Sequence, residues 1–157
     1  VVVSGKHVMM GYWKNPELTA KTLRNGWLHM GDMGYMDEDG YLFLVDRKSD
    51  MIVTGGENVY PQETEGVLYE HPAVMECAVV SAPDEKWGER VQAVVVLKSG
   101  MSATEEELLA YCKERLSGYK CPKAIELWGE LPKTAVGKIL RKDVKAAFWQ
   151  GKERTIG

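Results

Sequence analysis

The sequence predicts an α+β fold: a β-rich opening stretch with hairpin strands, then a small α+β domain whose three-stranded sheet is packed by helices. Three observations carry that expectation. Residues 74–81 and 91–98 are β-branched runs of strand length, and residues 124–128 read as a further short strand. Helix punctuation stands at Asn15-Pro16-Glu17, at Pro61 and at Thr104-Glu-Glu-Glu. Between the two parts, Asp46, Arg47, Lys48, Ser49 and Asp50 put four charged groups and a hydroxyl into five consecutive residues, between the apolar runs YLFLV and MIV. Such a charged junction between buried strands marks a site or a swivel rather than scaffold.

In chain order, residues 1–10 read as a continuing strand. Asn15 then caps a short helix whose first turn holds Pro16 and Glu17, a proline where the missing N–H costs nothing and an acid at the positive end of the dipole. Residues 27–30 form a short strand. The turn Asp37-Glu-Asp-Gly40 joins residues 34–36 to 41–45 as a hairpin. After a strand at 51–54, a helix starts at Pro61 and stops at His71-Pro72, because the residue before proline is driven out of helical geometry. Residues 83–88 are expected as a loop. Thr104 and Glu107 have capping-box spacing ahead of Leu108, Leu109, Cys112 and Leu116, which recur at helical intervals. A terminal helix is expected over 138–149. The domain bounds that follow are 1–48, 49–147 and a flexible tail over 148–157.

A chain of 157 residues with 45% apolar and 27% charged residues holds one domain plus part of another. The net charge of −3, without a basic run, gives no electrostatic footprint for nucleic acid, and no apolar segment has the length to span a bilayer. Cys77, Cys112 and Cys121 are odd in number. Cys77 and Cys112 fall in apolar patterns, so they read as reduced core residues of a cytoplasmic protein. The three histidines are scattered and give no metal-ligand spacing.

Two segments carry chemistry. In residues 46–61, DRKSDMIVTGGENVYP, Gly55-Gly56 supplies backbone that can take positive φ and let a ligand approach closely, while Glu57 and Asn58 offer polar contacts at the tip. A solvated hairpin turn is the competing reading. In residues 131–142, LPKTAVGKILRK, a loop punctuated by Pro132 and Gly137 delivers Lys138 to the expected start of the last helix. A cation gains nothing from a helix N-terminus, so an anionic ligand explains Lys138 better than local stability does.

WLHMGDMG at residues 27–34, DRKSDMIVTGGENVYPQE at 46–63 and LPKTAVGKILRK at 131–142 resemble the ordered motifs of the adenylate-forming enzymes, specifically the acyl-CoA synthetases. GYW at 11–13 followed by NPELT is similar to the same family, so the resemblance runs to about residue 147. It implies a chain cut from the C-terminal third of a synthetase. The large N-terminal domain, which holds the nucleotide-cradling loop, the acyl pocket and the Mg2+ ligands, would lie upstream.

The resemblance further implies a ligase that joins a carboxylic acid to coenzyme A at the expense of ATP, giving AMP and pyrophosphate, in fatty acid or aromatic acid metabolism. Lys138 would stabilise the charge that gathers where the carboxylate meets the α-phosphate. Asp32 would accept the ribose hydroxyls, and Arg47 would reach the same ribose. Without the family, Asp32 reads as a turn residue between glycines. The hinge about which the C-terminal domain rotates would fall at Ser49, beside Lys48, although the family more often has Asp or Lys at the position of Ser49. Gly55, Gly56 and Glu57 would line or buttress the pantetheine tunnel. Trp87, Lys120 and Lys123 match positions that approach the coenzyme A nucleotide, against a competing reading as a core tryptophan and solvated lysines. Cys121 stands where some relatives carry a cation. Two alternatives stay open: an adenylation module serving a carrier protein or a luciferase-like relative, and a non-catalytic binding fragment.

Overall fold

The structure, a computed structural model, describes residues 1–151. The expected tail is therefore described only as far as residue 151, and the rest of it lies outside the described residues. The chain divides into two compact units, residues 1–49 and the chain from Asp50 onward.

The first unit holds β1 (Val2–Val3), α1 (Pro16–Thr22), β2 (Leu23–Arg24), β3 (Trp27–His29), β4 (Asp32–Met36) and β5 (Leu42–Arg47). The helix begins as its residues dictate, with Asn15 Oδ1 accepting the Leu18 amide at 3.0 Å and Pro16 in the first turn. Residues 1–10 do not make one strand. Only Val2 and Val3 pair, with His29 and Leu28, and Gly5 at φ 127° turns the chain away. β4 and β5 are the expected hairpin, closed by Asp37, whose Oδ1 accepts the Tyr41 amide at 2.8 Å. Tyr35, Met36, Tyr41, Leu42, Phe43 and Leu44 are exposed along this hairpin, and Tyr35 stacks on Phe43 with ring centroids 5.2 Å apart.

The second unit is built on one sheet of β6 (Ile52–Thr54), β7 (Glu57–Val59), β8 (Val74–Asp84), β9 (Gly88–Leu97) and β10 (Ala124–Leu127), with helices α2 (Pro61–Glu70), α3 (Glu105–Arg115) and α4 (Arg141–Phe148). β9 is the central strand. It pairs antiparallel with β8 along its length, parallel with β10, and through Thr54 opposite Gly88 with β6. The sheet thus has five strands rather than three. The expected three form its centre, and the hairpin folded at Gly55-Gly56 adds the other two. Of the expected loop over 83–88, only residues 85–87 turn; Pro83, Asp84 and Gly88 belong to the paired strands. Pro83 continues β8 because that strand pairs on one side only, where a missing N–H is tolerated.

Both faces of the sheet are buried, which is why its strands read as unbroken apolar runs. Cys77, Val79, Val91, Ala93 and Val95 face a core shared with Leu68 of α2 and with Leu108 and Cys112 of α3. The intervening Ala78, Val80, Val94 and Val96 face a second core with Leu131 and Val144 of α4. The α3 start is the capping box read from the sequence: Thr104 Oγ1 accepts the Glu107 amide at 3.2 Å, and Glu107 Oε2 accepts the Thr104 amide at 2.8 Å. The last helix begins at Arg141 and not at Lys138. Residues 133–139 instead form a turn whose legs bridge Lys133 to Ile139.

Candidate functional site

The candidate residues fall into separate groups, one in the first unit and the others in the second. In the first, Asp32 and Arg47 stand directly opposite each other on β4 and β5, and Arg47 Nε lies 3.6 Å from Asp32 Oδ1. Asp32 is half-buried, whereas the Arg47 side chain is 62% exposed, so the pair is weak as a stabilising contact and accessible as a binding one.

The junction follows at once. The Lys48 amide donates to Gly31 O at 2.8 Å, inside the first unit, and Asp50 Oδ2 lies 3.4 Å from Arg141 Nη1, inside the second. Ser49 is the one residue between these two attachments, and the unit boundary falls directly after it.

In the second unit, Gly55 and Gly56 form a two-residue turn between the paired residues Thr54 and Glu57, at φ 58° and 88°. Positive φ at both positions is the hairpin geometry that matches strand twist. Trp87 packs on this turn. The Gly55 amide donates to Trp87 O at 3.2 Å, and a Cβ on Gly55 would lie 2.6 Å from the indole Cε3. Trp87 is 44% exposed, so it is not a core tryptophan, and Lys86 Nζ lies 4.5 Å from the centroid of its ring. The structure therefore brings Gly55, Gly56, Glu57 and Trp87 together. Beneath the turn, the buried Glu89 carboxylate accepts the Val53 amide at 3.0 Å and secures the hairpin.

Lys120 and Lys123 stand before β10. Lys120 Nζ is paired with Glu63 of α2, and that hydrogen bond raises its pKa above the ordinary lysine value. Lys120 is thus not a free solvated cation. The Lys123 side chain is exposed while its amide donates to Val91 O at 2.8 Å. Cys121 is buried between them, and its desolvated thiol titrates above its usual range.

Lys138 projects from the 133–139 turn and is exposed. Its backbone is held on both sides: its amide donates to Thr134 Oγ1 at 3.1 Å, and its carbonyl accepts the Thr134 amide at 2.8 Å. Gly137, at φ 81°, closes the turn through its amide to Thr134 O at 2.9 Å. Among the described residues no carboxylate pairs with the Lys138 ammonium. The cation at the helix N-terminus is instead Arg141, which forks onto Glu65 of α2. Its Nε lies 3.0 Å from Glu65 Oε1, its Nη2 contacts Oε2, and Oε1 also accepts the Val79 amide at 2.8 Å. Arg141 and Glu65 stand 76 positions apart, so the pair is not legible in the sequence. The one hint was a basic residue at a site where the helix dipole disfavours it.

The family model of the AMP-binding enzyme C-terminal domain matches residues 63–138. A long-chain-fatty-acid–CoA ligase of Bacillus subtilis is 56% identical over 142 residues, covering 90% of this chain and 25% of that protein. A feruloyl-CoA synthase of an Amycolatopsis species is 51% identical over 148 residues, covering 94% of this chain and 30% of its own length. The chain belongs to the adenylate-forming, AMP-binding enzymes. Among solved structures, the o-succinylbenzoate-CoA synthetase of Bacillus subtilis, in complex with its acyl-adenylate intermediate, superposes with a TM-score of 0.83 at 45% identity, over 92% of this chain and 29% of that one. The chain thus spans between a quarter and three tenths of the length of these relatives.

No helix among the described residues is long and apolar enough to cross a membrane. Nor does any group of three or more His, Cys, Asp or Glu among them stand in a metal-holding array.

Proposed function

We propose that this chain is the C-terminal portion of an ATP-dependent acyl-CoA ligase, which converts a carboxylic acid, ATP and coenzyme A to acyl-CoA, AMP and pyrophosphate. The observation that carries the reading is Lys138: an exposed ammonium with no carboxylate partner among the described residues, on a turn whose backbone is fixed by Thr134. A lysine held there at no benefit to the fold is available to an anion formed elsewhere in the enzyme.

In the adenylation half, negative charge gathers between the attacking carboxylate oxygen and the α-phosphorus, and a preorganised ammonium stabilises that arrangement more than the ground state. Lys138 takes this role. Asp32 accepts from the two ribose hydroxyls, since its paired carboxylate oxygens suit a vicinal diol, and the accessible Arg47 guanidinium reaches the same ribose. In the thioester half, Lys138 leaves and the Gly55-Gly56 turn takes its place, rotated about Ser49 and Lys48. The side-chain-free glycines and the neighbouring Glu57 let the thin pantetheine arm run along backbone. Trp87, whose side chain is partly exposed, stacks on the coenzyme A adenine once Lys86 yields the ring, and Lys123 is exposed to meet phosphate. Lys120 reaches phosphate only by giving up Glu63. The attachment of Lys48 to one unit and Asp50 to the other supports a hinge at Ser49.

The reading extends to the rest of the parent protein. The exposed apolar hairpin of β4 and β5 supports a further N-terminal body packed there, which would hold the acyl pocket and the metal. The buried thiols fit a reducing, cytoplasmic setting. The test is acid-dependent ATP–pyrophosphate exchange by the full-length ligase carrying Lys138→Ala. Loss of such a donor removes about 3–4 kcal/mol of transition-state stabilisation, so exchange falls by about 10²- to 10³-fold. Exchange that persists near the parent rate removes Lys138 from the mechanism. Presenting free coenzyme A against a phosphopantetheinylated carrier protein then separates this reading from the carrier-linked one.

A further inference from the structure

The turn that carries Lys138 has two feet, and each stands on an ion pair with the body of the second unit. At the first, Lys133 Nζ lies 2.6 Å from Glu76 Oε1 on β8. The other oxygen of that carboxylate, Glu76 Oε2, is buried and has no hydrogen-bond partner, so Lys133 is what compensates this half-buried charge. At the second foot, Arg141 opens α4 and forks onto Glu65, whose side chain is 10% exposed and also accepts the Val79 amide of β8. Arg141 reaches in addition to Asp50, the first residue of the unit. Between the feet, the Leu140 amide closes onto Pro132 O at 2.8 Å, and Leu131 is buried in the core beside Val144 with Ile139 packed against it.

Neither pair is explained by helix stability. Arg141 sits where the macrodipole opposes a cation, and Glu65 places a carboxylate inside the core, where it is tolerated only because it is fully bonded. A surface turn needs no such investment to exist. A lysine with four rotatable side-chain bonds does need a fixed origin if its ammonium is to meet a transition state within a fraction of an ångström.

We propose that Arg141 and Lys133 are positioning residues that fix the turn bearing Lys138 for adenylation, with Glu65 and Glu76 as their anchors. The proposal rests on the adenylation reading of Lys138. It extends that reading to groups that never meet the nucleotide, and it predicts a split between the two half-reactions. The full-length ligase is assayed for pyrophosphate exchange and, separately, for thioester formation from preformed acyl-adenylate and coenzyme A, in which Lys138 takes no part. Arg141→Ala is expected to lower kcat of exchange by about 10- to 100-fold, the scale of a misplaced catalytic group. The KM for ATP and the rate of thioester formation stay within about threefold, because uniform binding is untouched. Arg141→Lys keeps the charge but not the fork, so it restores exchange only in part. Lys133→Met produces a smaller loss of the same kind.

A merely structural role lowers both half-reactions together, and that outcome overturns the proposal, as does no loss in either. Should Arg141→Ala fail to fold, Arg141→Lys and Lys133→Met decide by the same split. Lys138→Ala runs alongside. If it abolishes exchange while the positioning variants leave it intact, the positioning proposal alone fails. If Lys138→Ala retains exchange, the reading beneath it fails too.

Discussion

Replacing Gly55 by alanine tests the close packing of the Gly-Gly turn against Trp87. The residue sits at φ 58°, a conformation that costs an L-residue about 1 kcal/mol. Its new Cβ would lie 2.6 Å from Trp87 Cε3 and 3.1 Å from Cζ3, so the indole must move. Overpacking of this kind costs about 1–2 kcal/mol, and the lower figure applies because Trp87 is partly exposed and has room to yield. The expected total is about 2 kcal/mol. Gly56→Ala is the control: φ is 88° and nothing lies within 4 Å of its Cβ, so only the backbone cost of about 1 kcal/mol applies. Urea unfolding of both variants and the parent gives the two losses. In the double variant Gly55→Ala, Trp87→Ala the steric part is relieved, so the cycle shows a favourable coupling of about 1 kcal/mol. Gly55→Asn sharpens the contrast. Asparagine is favoured at this position of such a turn in general, yet here it must meet the same ring. Equal losses at Gly55 and Gly56, with no coupling to Trp87, would refute the packing argument and detach Trp87 from the turn.

Other outcomes follow from the same structure. Ser49→Pro in the full-length ligase is expected to slow thioester formation while sparing pyrophosphate exchange; equal loss of both steps, or of neither, counts against a swivel at that residue. Thr104→Ala removes one half of a capping box and strands the other, so the urea midpoint should fall by the equivalent of about 1 kcal/mol, and an unchanged midpoint would mean that α3 does not need its cap. The thiol of Cys112 is fully buried, and desolvation, aided by Cys121, pushes its pKa up from 9.0 to about 11. Between those values the unfolded thiol has lost its proton and the folded one has not. This contribution to stability is therefore complete below pH 9 and declines as pH rises toward 11. Cys112→Ala should flatten that decline in denaturant titrations at pH 8 and 10, and an identical slope in the variant would remove the thiol from the account.

Where the sequence is legible, the controlling contact is local. The Asn15 cap, the capping box of Thr104 and Glu107 and the Asp37 turn each span three or four residues, and each takes the form its residue types dictate. The misplaced features answer to distant contacts. The pattern GKILRK continues a helical period back to Lys138, but Thr134 captures the amides of Gly137 and Lys138 first, and the bridge from Lys133 to Ile139 holds the chain out of helical geometry until Arg141. Of the turn formers at 83–88 only 85–87 turn, because Pro83 and Asp84 still pair with Glu89 and Gly88 across the edge of the sheet. The site shows the same division. The motifs name Lys138, Asp32, Arg47 and the glycine pair, while the groups that hold the turns in place, Glu65, Glu76 and Glu89, are single acids in unremarkable surroundings whose burial appears only after folding.

That burial bears on how a moving domain can be built. The central strands are covered on both faces, so the sheet has no open surface for polar chemistry, and its reactive groups emerge at its rim on two turns. Each turn is tied back by a buried carboxylate: Glu65, which accepts from Arg141 at the foot of the Lys138 turn and from the Val79 amide of β8, and Glu89, which accepts from the Val53 amide beneath the Gly55-Gly56 turn. A buried acceptor that loses its donor costs about 1–3 kcal/mol, enough to keep both turns on the sheet through thermal fluctuation. Two turns fixed to one sheet cannot be exchanged at a common site by loop motion. On the proposed mechanism they are exchanged by rotating the whole body about the segment between the Lys48 amide, bound to Gly31, and the Asp50 carboxylate, paired with Arg141. On the proposed mechanism, loosening Glu65 should therefore weaken pyrophosphate exchange and loosening Glu89 thioester formation, each with Ser49 left untouched.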